Sequence, residues 1–435
     1  MIIILIASIL AYVSCLEKVM ALETIYIRAN GGVEPYYAPI QRSGDVYTLT
    51  SDINSNIDGI VIEKNDTVLD GAGHRLQGMS EQFSRGIYLS FTSNVTVKNI
   101  TIISFENGIL LDVYAINNLI MDSKLEGNDC GVSCWAFSDN NTIVGNNMTT
   151  NNLAGLWIAG SSNDTVTNNY IMNNNQYGII LESSYNDTIC HNSFIDNTNQ
   201  ANIYDSTGTW DKGYPSGGNY WSDYAGTDIH SGPDQDQPGS DGIGDTPYNC
   251  SENNQDRYPL MQAFTNVAIQ GARPVKTVVG QGYNATIAIH VENQGWETRT
   301  TNVEVTLDTT TILTLNGLVM TGKNRTILTC IWQTSGYNIG NYTVSATATT
   351  VPNETDTTDN HCTWMIHVGV PGDVSSSTQG VYDGIVNMRD IQYMILLFNA
   401  KPDSTKWNPN ADVNNDLVVN MRDINIAIMN FNKHE

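Results

Sequence analysis

Basic side chains are scarce in this sequence. Twenty lysines and arginines stand against 45 aspartates and glutamates, which gives a formal net charge of −25 at pH 7. Nucleic acids and anionic membrane surfaces are poor partners for such a chain, because like charges repel. Between residues 86 and 210 there is no arginine, and the lysines are Lys98 and Lys124. The composition therefore favours cations and neutral molecules as ligands.

Long hydrophobic segments are equally rare. The opening "MIIILIASILAYVSCLEKVMALET" holds an apolar run of about a dozen residues, too short for a membrane-spanning helix. "VMA" ending at Ala21 suits cleavage, so residues 1–21 are predicted to be a secretory signal peptide. A lipid anchor on Cys15 is the less favoured alternative, because Tyr12 stands where that signal has an aliphatic residue. No later segment is long enough to span a membrane, so we expect a secreted, extracellular or cell-surface-attached protein.

Helical periodicity is missing from residues 22–264, where a repeat takes its place. The strings "NGIL", "CGVS", "AGLW" and "YGII" begin at Asn107, Cys130, Ala154 and Tyr177, so they recur at a nearly constant step along the chain. Short alternating runs with turns at Asn and Gly predict the stacked coils of a parallel β-helix. Such coils lie about 4.8 Å apart, so residues one step apart lie above each other.

This stacking bears on three Asn-x-Thr motifs, at Asn140, Asn163 and Asn186. They share a column with little room for glycans, so we expect an internal asparagine ladder that satisfies turn backbones. Asp164 and Asp187 also share a column. Two carboxylates so close could shift each other's pKa or share a cation. The favoured alternative is that both are solvated turn residues. Glycans are expected at the motifs outside the repeat: Asn284, Asn324, Asn341 and Asn353.

The sequence of the repeat region gives little support for acid–base catalysis. A lyase needs a basic group near the proton that it removes, and a hydrolase needs two placed carboxylates. Basic residues are few here, and the carboxylates form no recognisable motif. We therefore assign no catalytic residue. A polysaccharide hydrolase or lyase, and a structural surface-layer or adhesion component, remain alternatives to a non-catalytic binder.

The stretches "NDTVLDGAGHRLQG", "SNVTVKNITI" and "GNYWSDY" carry a family likeness. They resemble the NosD-like right-handed β-helix repeat proteins, over Leu22 to Phe264. The resemblance implies the fold but leaves the function open, because the repeats are shared by a copper-site maturation factor and by sugar-binding and sugar-cleaving proteins. Copper would require clusters of His, Met or Cys. Met148 and Met172, one step apart, are expected to stack in the core instead.

Two groups of residues close the repeat region. The aromatic group either stacks on sugars or plugs the open end of the β-helix, and the plug is favoured. Four aspartates in "PDQDQPGSDGIGD" form either a second type of calcium loop or a solvated turn, with equal support. The aromatic group is Trp210, Tyr214, Tyr220, Trp221 and Tyr224, and the aspartates are Asp234, Asp236, Asp241 and Asp245.

Strict alternation marks residues 265–370, as in "NATIAIHVEN" and "NYTVSATAT". The pattern predicts a seven-stranded antiparallel sandwich, and the segment resembles the CARDB domain, a cell-adhesion-related Ig-like module. Cys330 and Trp332 share a strand face, as do Cys362 and Trp364, so we expect a Cys330–Cys362 disulfide packed against tryptophan. The other mature cysteines, whose pairing the sequence leaves open, are Cys130, Cys134, Cys190 and Cys250.

The hexapeptide "VNMRDI" occurs twice, at Val386 and at Val419. Each copy ends a loop whose oxygen ligands are spaced as in calcium-binding loops. The first loop carries a six-residue insertion, and in the second Leu417 stands where glycine is usual. The ligand candidates are Asp412, Asn414, Asp416, Val418, Asn420 and Asp423 in the second loop, and Asp373, Asp383, Ile385, Asn387 and Asp390 in the first.

Residues 371–435 thereby resemble a type I dockerin module. The resemblance implies calcium as cofactor and docking onto a cohesin-like module or surface scaffold protein, with partner contacts from Met388, Arg389, Met421 and Arg422. Apolar spacing after each loop predicts a helix with one buried face. The residues of these two faces are Ile391, Met394, Ile395 and Phe398, and Ile424, Ala427, Ile428 and Phe431.

The expected fold class is therefore mainly β. A parallel β-helix with coils of about 23 residues precedes an Ig-like sandwich and a small α-helical calcium-binding module. The expected role of the β-helix is to bind carbohydrate or another surface component, while the tail attaches the protein to a partner.

Overall fold

The computed structural model describes residues 23–352, 354, 357–376 and 378–435. The predicted signal peptide and the glycan motif at Asn353 lie outside this part of the chain. The described residues form two compact units, one that ends at Phe264 and one that begins at Thr265. No helix among them is long and apolar enough to cross a membrane.

The first unit is a parallel β-helix with three strands in each coil, and every coil adds one strand to each of three sheets. The first sheet consists of Ile25–Ile27, Val33–Glu34, Ile60–Ile62, Arg85–Ser90, Asn107–Asp112, Cys130–Trp135, Ala154–Ala159, Tyr177–Glu182 and Asn199–Tyr204. The second consists of Ile40–Ser43, Val46–Leu49, Val68–Asp70, Thr96–Lys98, Leu119–Met121, Thr142–Val144, Thr165–Thr167, Tyr185–Cys190 and Thr207–Thr209. The third consists of Ile53–Asn54, Arg75–Gln77, Thr101–Ile103, Lys124–Glu126, Asn147–Thr149, Tyr170–Met172, Ser193–Ile195 and Tyr220–Trp221. Two hairpins follow: His230–Ser231 with Gln237–Pro238, and Tyr248–Ser251 with Asn254–Asp256.

Apolar side chains fill the interior because alternate residues of each strand point inward. Aligned residues of successive coils form continuous columns in the first sheet, and every member of one such column is fully buried. That column is Ile87, Ile109, Val132, Leu156 and Ile179. Its regular spacing confirms the predicted length of the coil.

Buried asparagine columns occupy all three turns of the coil. The backbone N–H of one residue donates to the side-chain oxygen one coil on, as from Asn151 to Asn174 over 3.0 Å. The side-chain amide donates to a carbonyl of the preceding coil, as from Asn151 to Leu125 over 3.2 Å. Turn groups that would otherwise be buried without a partner are thereby satisfied. The columns are Asn146–Asn169–Asn192–Asn219, Asn128–Asn151–Asn174–Asn197 and Asn118–Asn141–Asp164–Asp187.

The predicted ladder at Asn140, Asn163 and Asn186 is wrong by one residue. These three side chains are exposed, and their backbones are left-handed, with φ near +60°. Asparagine tolerates that conformation better than most residues, which explains its recurrence there. The left-handed turn directs these residues outward, and the residue after each of them points inward to form the ladder.

Asp164 and Asp187 occupy asparagine positions in the third column and are fully buried. Asp164 accepts hydrogen bonds from the Asn141 N–H over 2.7 Å and from the Ser161 hydroxyl over 2.7 Å. Burial raises the pKa of Asp164 to about 8 and that of Asp187 to about 6, although these hydrogen bonds oppose the rise. The favoured alternative, two solvated turn residues, is therefore wrong.

We expect Asp164→Asn to stabilise the β-helix at pH 8 and to change little at pH 4. A carboxyl whose pKa rises on folding binds a proton more tightly in the folded chain, so its stabilising contribution is lost as pH rises from about 4 to 8. Asparagine has no proton to lose. Thermal unfolding across this pH range should show a variant-minus-parent difference that grows by a few degrees, at about 2–4 °C per kcal/mol.

Asp196→Asn is the control, because Asp196 is an exposed carboxylate of the same β-helix. Its difference from the parent should not depend on pH in this way. Equal pH profiles for both variants would contradict the buried, protonated state of Asp164.

The described residues of the second unit form a sandwich of eight strands, one more than predicted. Its smaller sheet consists of Val267–Pro274, Asn284–Asn293 and Arg325–Gln333, and its larger sheet of Val278–Gly280, Arg299–Leu307, Thr310–Met320, Gly340–Ala348 and His361–Gly369. The additional strand is the short Val278–Gly280, which pairs in parallel with His361–Gly369, whereas the other pairs are antiparallel. Alternation in these strands puts apolar residues into one shared core.

The predicted Cys330–Cys362 disulfide is not formed. All six described cysteines are free thiols. The Cys330 sulfur lies 3.8 Å from the carbonyl oxygen of Ile312, and the Cys362 sulfur lies 3.9 Å from that of Thr363. Each thiol is thus directed at a backbone oxygen and not at the other sulfur.

The tail holds two short helices, α1 at Met388–Leu396 and α2 at Met421–Met429, with a 3-10 turn at Pro409–Ala411 between them. Asn387 caps α1 and Asn420 caps α2, each within a reciprocal capping box. The buried faces are half as wide as predicted. Those predicted face residues that are buried are Ile391, Met394, Ile424 and Ala427, and those that are exposed are Ile395, Phe398, Ile428 and Phe431.

Candidate functional site

Two tryptophans lie on the outer face of the first sheet. Trp135 and Trp157 come from neighbouring coils, and their rings meet edge to face with centroids 5.4 Å apart. Both side chains are half-buried, and neither indole N–H has a hydrogen-bond acceptor among the described residues. Each indole nitrogen is enclosed, so the surface that the pair offers to a ligand is the exposed part of its rings.

An apolar cluster outside the main core supports these rings. Cys130, Ala154 and Ile180 are buried on the outer face of the sheet, and Trp157 and Tyr177 pack against them. The cluster fixes Trp157 from one side and leaves part of the ring exposed. The outer face is therefore preformed, as ligand sites usually are.

Carboxylates on this face are too far apart to act as a catalytic pair. Strand register places Asp112, Trp135, Ala159 and Glu182 in one column. Asp112 and Glu182 are thus three coils apart, about 14 Å at about 4.8 Å per coil. Glycosidase carboxylates stand roughly 5–9.5 Å apart.

Basic side chains are also engaged in this region. Lys98 pairs with Asp70 over 3.2 Å, and Lys124 pairs with Glu126 over 2.5 Å. Between residues 86 and 210, all of which the structure describes, there is no further lysine or arginine. Both lysines of this segment are therefore held by carboxylates.

Sequence reasoning missed a column of exposed aromatic residues at the turn after the first sheet. Phe91, Tyr114 and Phe137 are 69%, 54% and 60% exposed, and adjacent ring centroids lie 6.1 and 5.7 Å apart. All three have left-handed φ values of 53°, 60° and 63°, a conformation that costs such residues about 1–3 kcal/mol. Their even spacing along the sequence, one in each coil, was the signal that could have revealed them.

The aromatic group at the end of the repeat plugs the β-helix. Trp210 and Trp221 are each only 1% exposed, and Trp221 is stacked between Phe194 and Tyr248 at 4.4 and 4.3 Å. The indole N–H of Trp221 donates to Asp256 over 2.9 Å. Trp210 and Trp221 therefore cannot stack on sugars, and the sugar-stacking alternative is wrong for both.

Tyr220 and Tyr224 belong to the same plug but remain half-buried. The Tyr224 hydroxyl donates to the carbonyl of Thr246, so its ring is held against the closing segment. Tyr214 is 37% exposed.

The four aspartates of the closing loop are not brought together. Asp245 accepts hydrogen bonds from the backbone N–H groups of Ile229 and His230, and Asp241 accepts from those of Gly232 and Ile243. Asp234 and Asp236 do not join them: within the described chain, carboxylate clusters of at least three members are confined to the tail. The arrangement is that of hydrogen-bonded turns.

The second tail loop does gather its carboxylates. Ligand atoms of Asp412, Asp416 and Asp423 all lie within 4.8 Å of one another. Burial raises the pKa of Asp412 and of Asp423, and the neighbouring carboxylates contribute to both shifts. Leu417 adopts a left-handed φ of 63° at the position where glycine is usual. Oxygen ligands so placed fit a calcium ion, whose charge would relieve the repulsion.

The first tail loop has the same hydrogen bonds in spite of its insertion. Asp373 accepts from the N–H groups of Asp383 and Gly384 over 3.2 and 2.7 Å, as Asp412 does from Asp416 and Leu417 over 3.1 and 3.0 Å. Asp390 accepts from Asn387 as Asp423 accepts from Asn420. Burial raises the pKa of Asp373 to about 7. The described carboxylates of this loop are less closely gathered than those of the second.

Each proposed ligand set also includes backbone and amide oxygens. Asn414 and Asn420 lie beside Asp416, and their side-chain amides donate to it over 3.1 and 3.0 Å. Val418 and Ile385 occupy equivalent positions just before the capping asparagine of each helix, and each carbonyl accepts from that asparagine's amide.

A lysine of the sandwich packs behind the second loop. Lys276 is 4% exposed, and its ammonium group donates to the backbone carbonyls of Asp412 and Val413. Burial lowers the pKa of Lys276 to about 8, against the pull of Asp412 and Asp423. The loop is therefore joined to the sandwich through its backbone, and its carboxylate oxygens are left to face one another.

Apolar side chains remain exposed on both helices of the tail. The four predicted partner-contact residues, Met388, Arg389, Met421 and Arg422, are all exposed. Other apolar residues are exposed at corresponding positions of both helices. They are Ile395, Leu396 and Phe398 on or just after α1, and Ile428, Met429 and Phe431 on or just after α2. Contiguous exposed apolar surface is typical of an interaction site.

Comparison with known proteins adds a family relationship. Residues 20–226 match the sequence model of the family described as "Periplasmic copper-binding protein (NosD)", over slightly less than half of the chain. No curated protein sequence matches this chain. The repeat region is thus similar to a periplasmic type of β-helix family.

The family's description raises the question of copper, which favours His, Cys and Met ligands. In the described part of the β-helix, the Cys134 and Met148 sulfurs are enclosed in the core, and His191 is bonded to Ser216. Met172 aligns with Thr149 and not with Met148, so the predicted stacking of the two methionines is wrong. The residues present do not fit a copper site.

Several solved structures are similar to parts of this chain at low identity. The CARDB domain of a Pyrococcus furiosus protein, solved in complex with di-metal ions, is 24% identical over 24% of this chain and 89% of its own, with a TM-score of 0.22. A mutant of the periplasmic alginate epimerase AlgG is 15% identical over 42% and 67%, with a TM-score of 0.29. Tailspike protein 2 of the Escherichia coli O157:H7 bacteriophage CAB120 is 13% identical over 79% and 54%, with a TM-score of 0.33. At these values the likenesses concern fold and carry no functional argument.

We expect Trp221→Ala to destabilise the β-helix by about 3–5 kcal/mol, because it removes a fully buried ring from between two others. In chemical denaturation of the full chain, the β-helix of this variant should unfold at a lower denaturant concentration than that of the parent. Tyr204→Ala is the control, since Tyr204 is 70% exposed. Unchanged stability of the Trp221 variant would contradict the plug.

Proposed function

We propose that the β-helix is a non-catalytic module that binds a neutral carbohydrate on the outer face of its first sheet. The observation that carries this proposal is the half-exposed pair Trp135 and Trp157, whose rings meet edge to face on the outer side of that sheet. Aromatic rings pack against the C–H faces of sugars. Such a surface suits an uncharged ligand with flat C–H faces.

Charge supports a neutral ligand over an anionic one. The chain carries a net charge of −25, and the two lysines between residues 86 and 210 are already paired with carboxylates. A uronate polymer would meet repulsion without a compensating cation. The alternative is a hydrolase or lyase, but Asp112 and Glu182 of this column lie farther apart than a glycosidase pair, and Lys98 and Lys124 are paired with carboxylates.

We expect Trp135→Ala and Trp157→Ala each to weaken binding of a neutral oligosaccharide by about tenfold or more, equivalent to about 1.4 kcal/mol. The measurement is calorimetric titration of the full chain with cellohexaose and with chitohexaose. Trp135→Phe should retain part of the affinity, because a smaller aromatic ring remains.

Trp364→Ala is the matched control, since Trp364 is a half-exposed tryptophan of the second unit. The same samples should release neither reducing ends nor unsaturated uronates from polygalacturonate or alginate. Absence of binding to both neutral probes, or measurable release from the acidic polymers, would overturn the proposal.

The tail supports a second function, calcium-dependent docking onto a partner protein. The carboxylate cluster Asp412, Asp416 and Asp423 favours it, together with the exposed apolar residues that recur on both helices. We infer that residues 371–435 bind up to two calcium ions and present Met388, Arg389, Met421 and Arg422 to a cohesin-like module or surface scaffold. In this arrangement the protein is secreted and held at a cell surface.

We expect the second loop to bind calcium more tightly than the first, because its carboxylates are already gathered. Titration of the full chain with calcium should resolve two sites of unequal affinity, and Asp412→Ala with Asp416→Ala should remove the tighter one. Calcium should also raise the unfolding temperature of the second unit, because a ligand stabilises the state that binds it.

Asp403→Ala serves as control, since Asp403 is an exposed carboxylate of the same tail outside both loops. Met421→Ala should leave calcium binding unchanged, whereas Arg422 pairs with the proposed ligand Asp416 over 3.5 Å and is therefore kept in this variant. Identical titrations with calcium and with magnesium, or none with either, would speak against the calcium loops.

A further inference from the structure

The exposed aromatic column ends abruptly at one coil. Six successive coils have a left-handed residue just before a buried small residue at this turn, and the first three of these are aromatic. The fourth is Gly160, with φ of 59°. The six residues are Phe91, Tyr114, Phe137, Gly160, Ser183 and Asp205.

An opening lies beside the last ring of the column. No atom approaches within 4 Å of the point where a side chain on Gly160 would begin. Trp135 aligns with Ala159, the residue before Gly160. Trp135 and Phe137 are therefore both followed, in the next coil, by a position with little or no side chain.

We propose that one pyranose ring of a neutral carbohydrate stacks on Phe137 over Gly160, in a subsite continuous with Trp135. This inference rests on the proposed function and locates one sugar of the ligand. A pyranose presents a flat face of C–H groups to an aromatic ring and keeps its hydroxyl groups at the edge. The opening over Gly160 supplies the space that the next ring of the column would have occupied.

Backbone geometry does not account for the aromatic residues. The same left-handed position is filled by glycine and serine in the next two coils, and these residues meet the turn with less strain than an aromatic one. The rings at Phe91, Tyr114 and Phe137 pack on one another and are otherwise open to solvent. A contact with something outside the chain explains their presence.

A second copy of this chain is a poorer occupant. Three aromatic side chains bury at most roughly 750 Å², at roughly 150–250 Å² each, and these three are already partly buried, whereas a stable interface needs about 800 Å² from each partner. Two chains that each carry a net charge of −25 also repel one another. A single sugar ring requires neither a large area nor an opposite charge.

The experiment is calorimetric titration of the full chain with cellohexaose and with chitohexaose. Phe137→Ala removes the stacking face, and Gly160→Phe fills the opening, so each should weaken binding at least fivefold. Gly160→Ser should bind as the parent does, because it matches the residue already present at Ser183 and leaves most of the opening free. Circular dichroism and thermal unfolding confirm that each variant is folded.

Phe83→Ala is the matched control, since Phe83 is 79% exposed and left-handed but lies outside the column. Binding that is lost with Trp135→Ala but unaffected by Phe137→Ala and Gly160→Phe overturns this subsite and leaves the proposed function standing. No binding by the unchanged chain overturns both. Sedimentation equilibrium that shows a dimer dissociated by Phe137→Ala would assign the column to a second copy instead.

Discussion

The first unit depends on one constraint, the hydrogen bonding of each coil to the next at a fixed step along the chain. Hydrogen bonds between strand backbones meet most of this constraint. The three turns of each coil also bring backbone N–H and C=O groups into the interior. Side chains of asparagine meet these groups in all three turns, donating and accepting at once. An aliphatic residue would leave buried polar groups unpaired there, so the asparagine columns are as necessary as the apolar core.

The same constraint produces the surface on which the functional proposals rest. Because stacking repeats every side chain at intervals of about 4.8 Å, one aromatic residue per coil becomes a continuous aromatic column. Trp135 and Trp157 are brought together from two coils by this register, as Phe137 and Tyr114 are at the adjoining turn. The fold thus needs no loop insertion to form an extended face, and the sparse charge of that face follows from the composition of the strands.

The length of the sequence repeat predicted the length of the coil, because in a parallel β-helix each repeat forms one coil. It did not reveal which residue of each turn points inward, because a left-handed residue reverses the alternation that strands would show. The period alone therefore assigns to Asn140 the ladder position that Asn141 fills. The burial of Trp221 depends on Tyr248 and Asp256, which fold back from later in the chain, and local patterns contain no such information.

In the tail, the loop spacing identified the carboxylates that converge. The number of buried residues on each helix could not be predicted from the spacing, because a small module has little other chain with which to cover a helix.

The first tail loop shows how a binding loop can carry extra chain. Asp373 reaches Asp383 and Gly384 directly, so the intervening segment is tied at both ends by the loop itself. Lengthening a tied segment costs little, about 0.6 kcal/mol for each doubling of its length. Such a segment is a natural place for the chain to acquire residues without disturbing its neighbours. A short peptide tag or a spectroscopic probe inserted there would leave the hydrogen bonds from Asp383 and Gly384 to Asp373 in place.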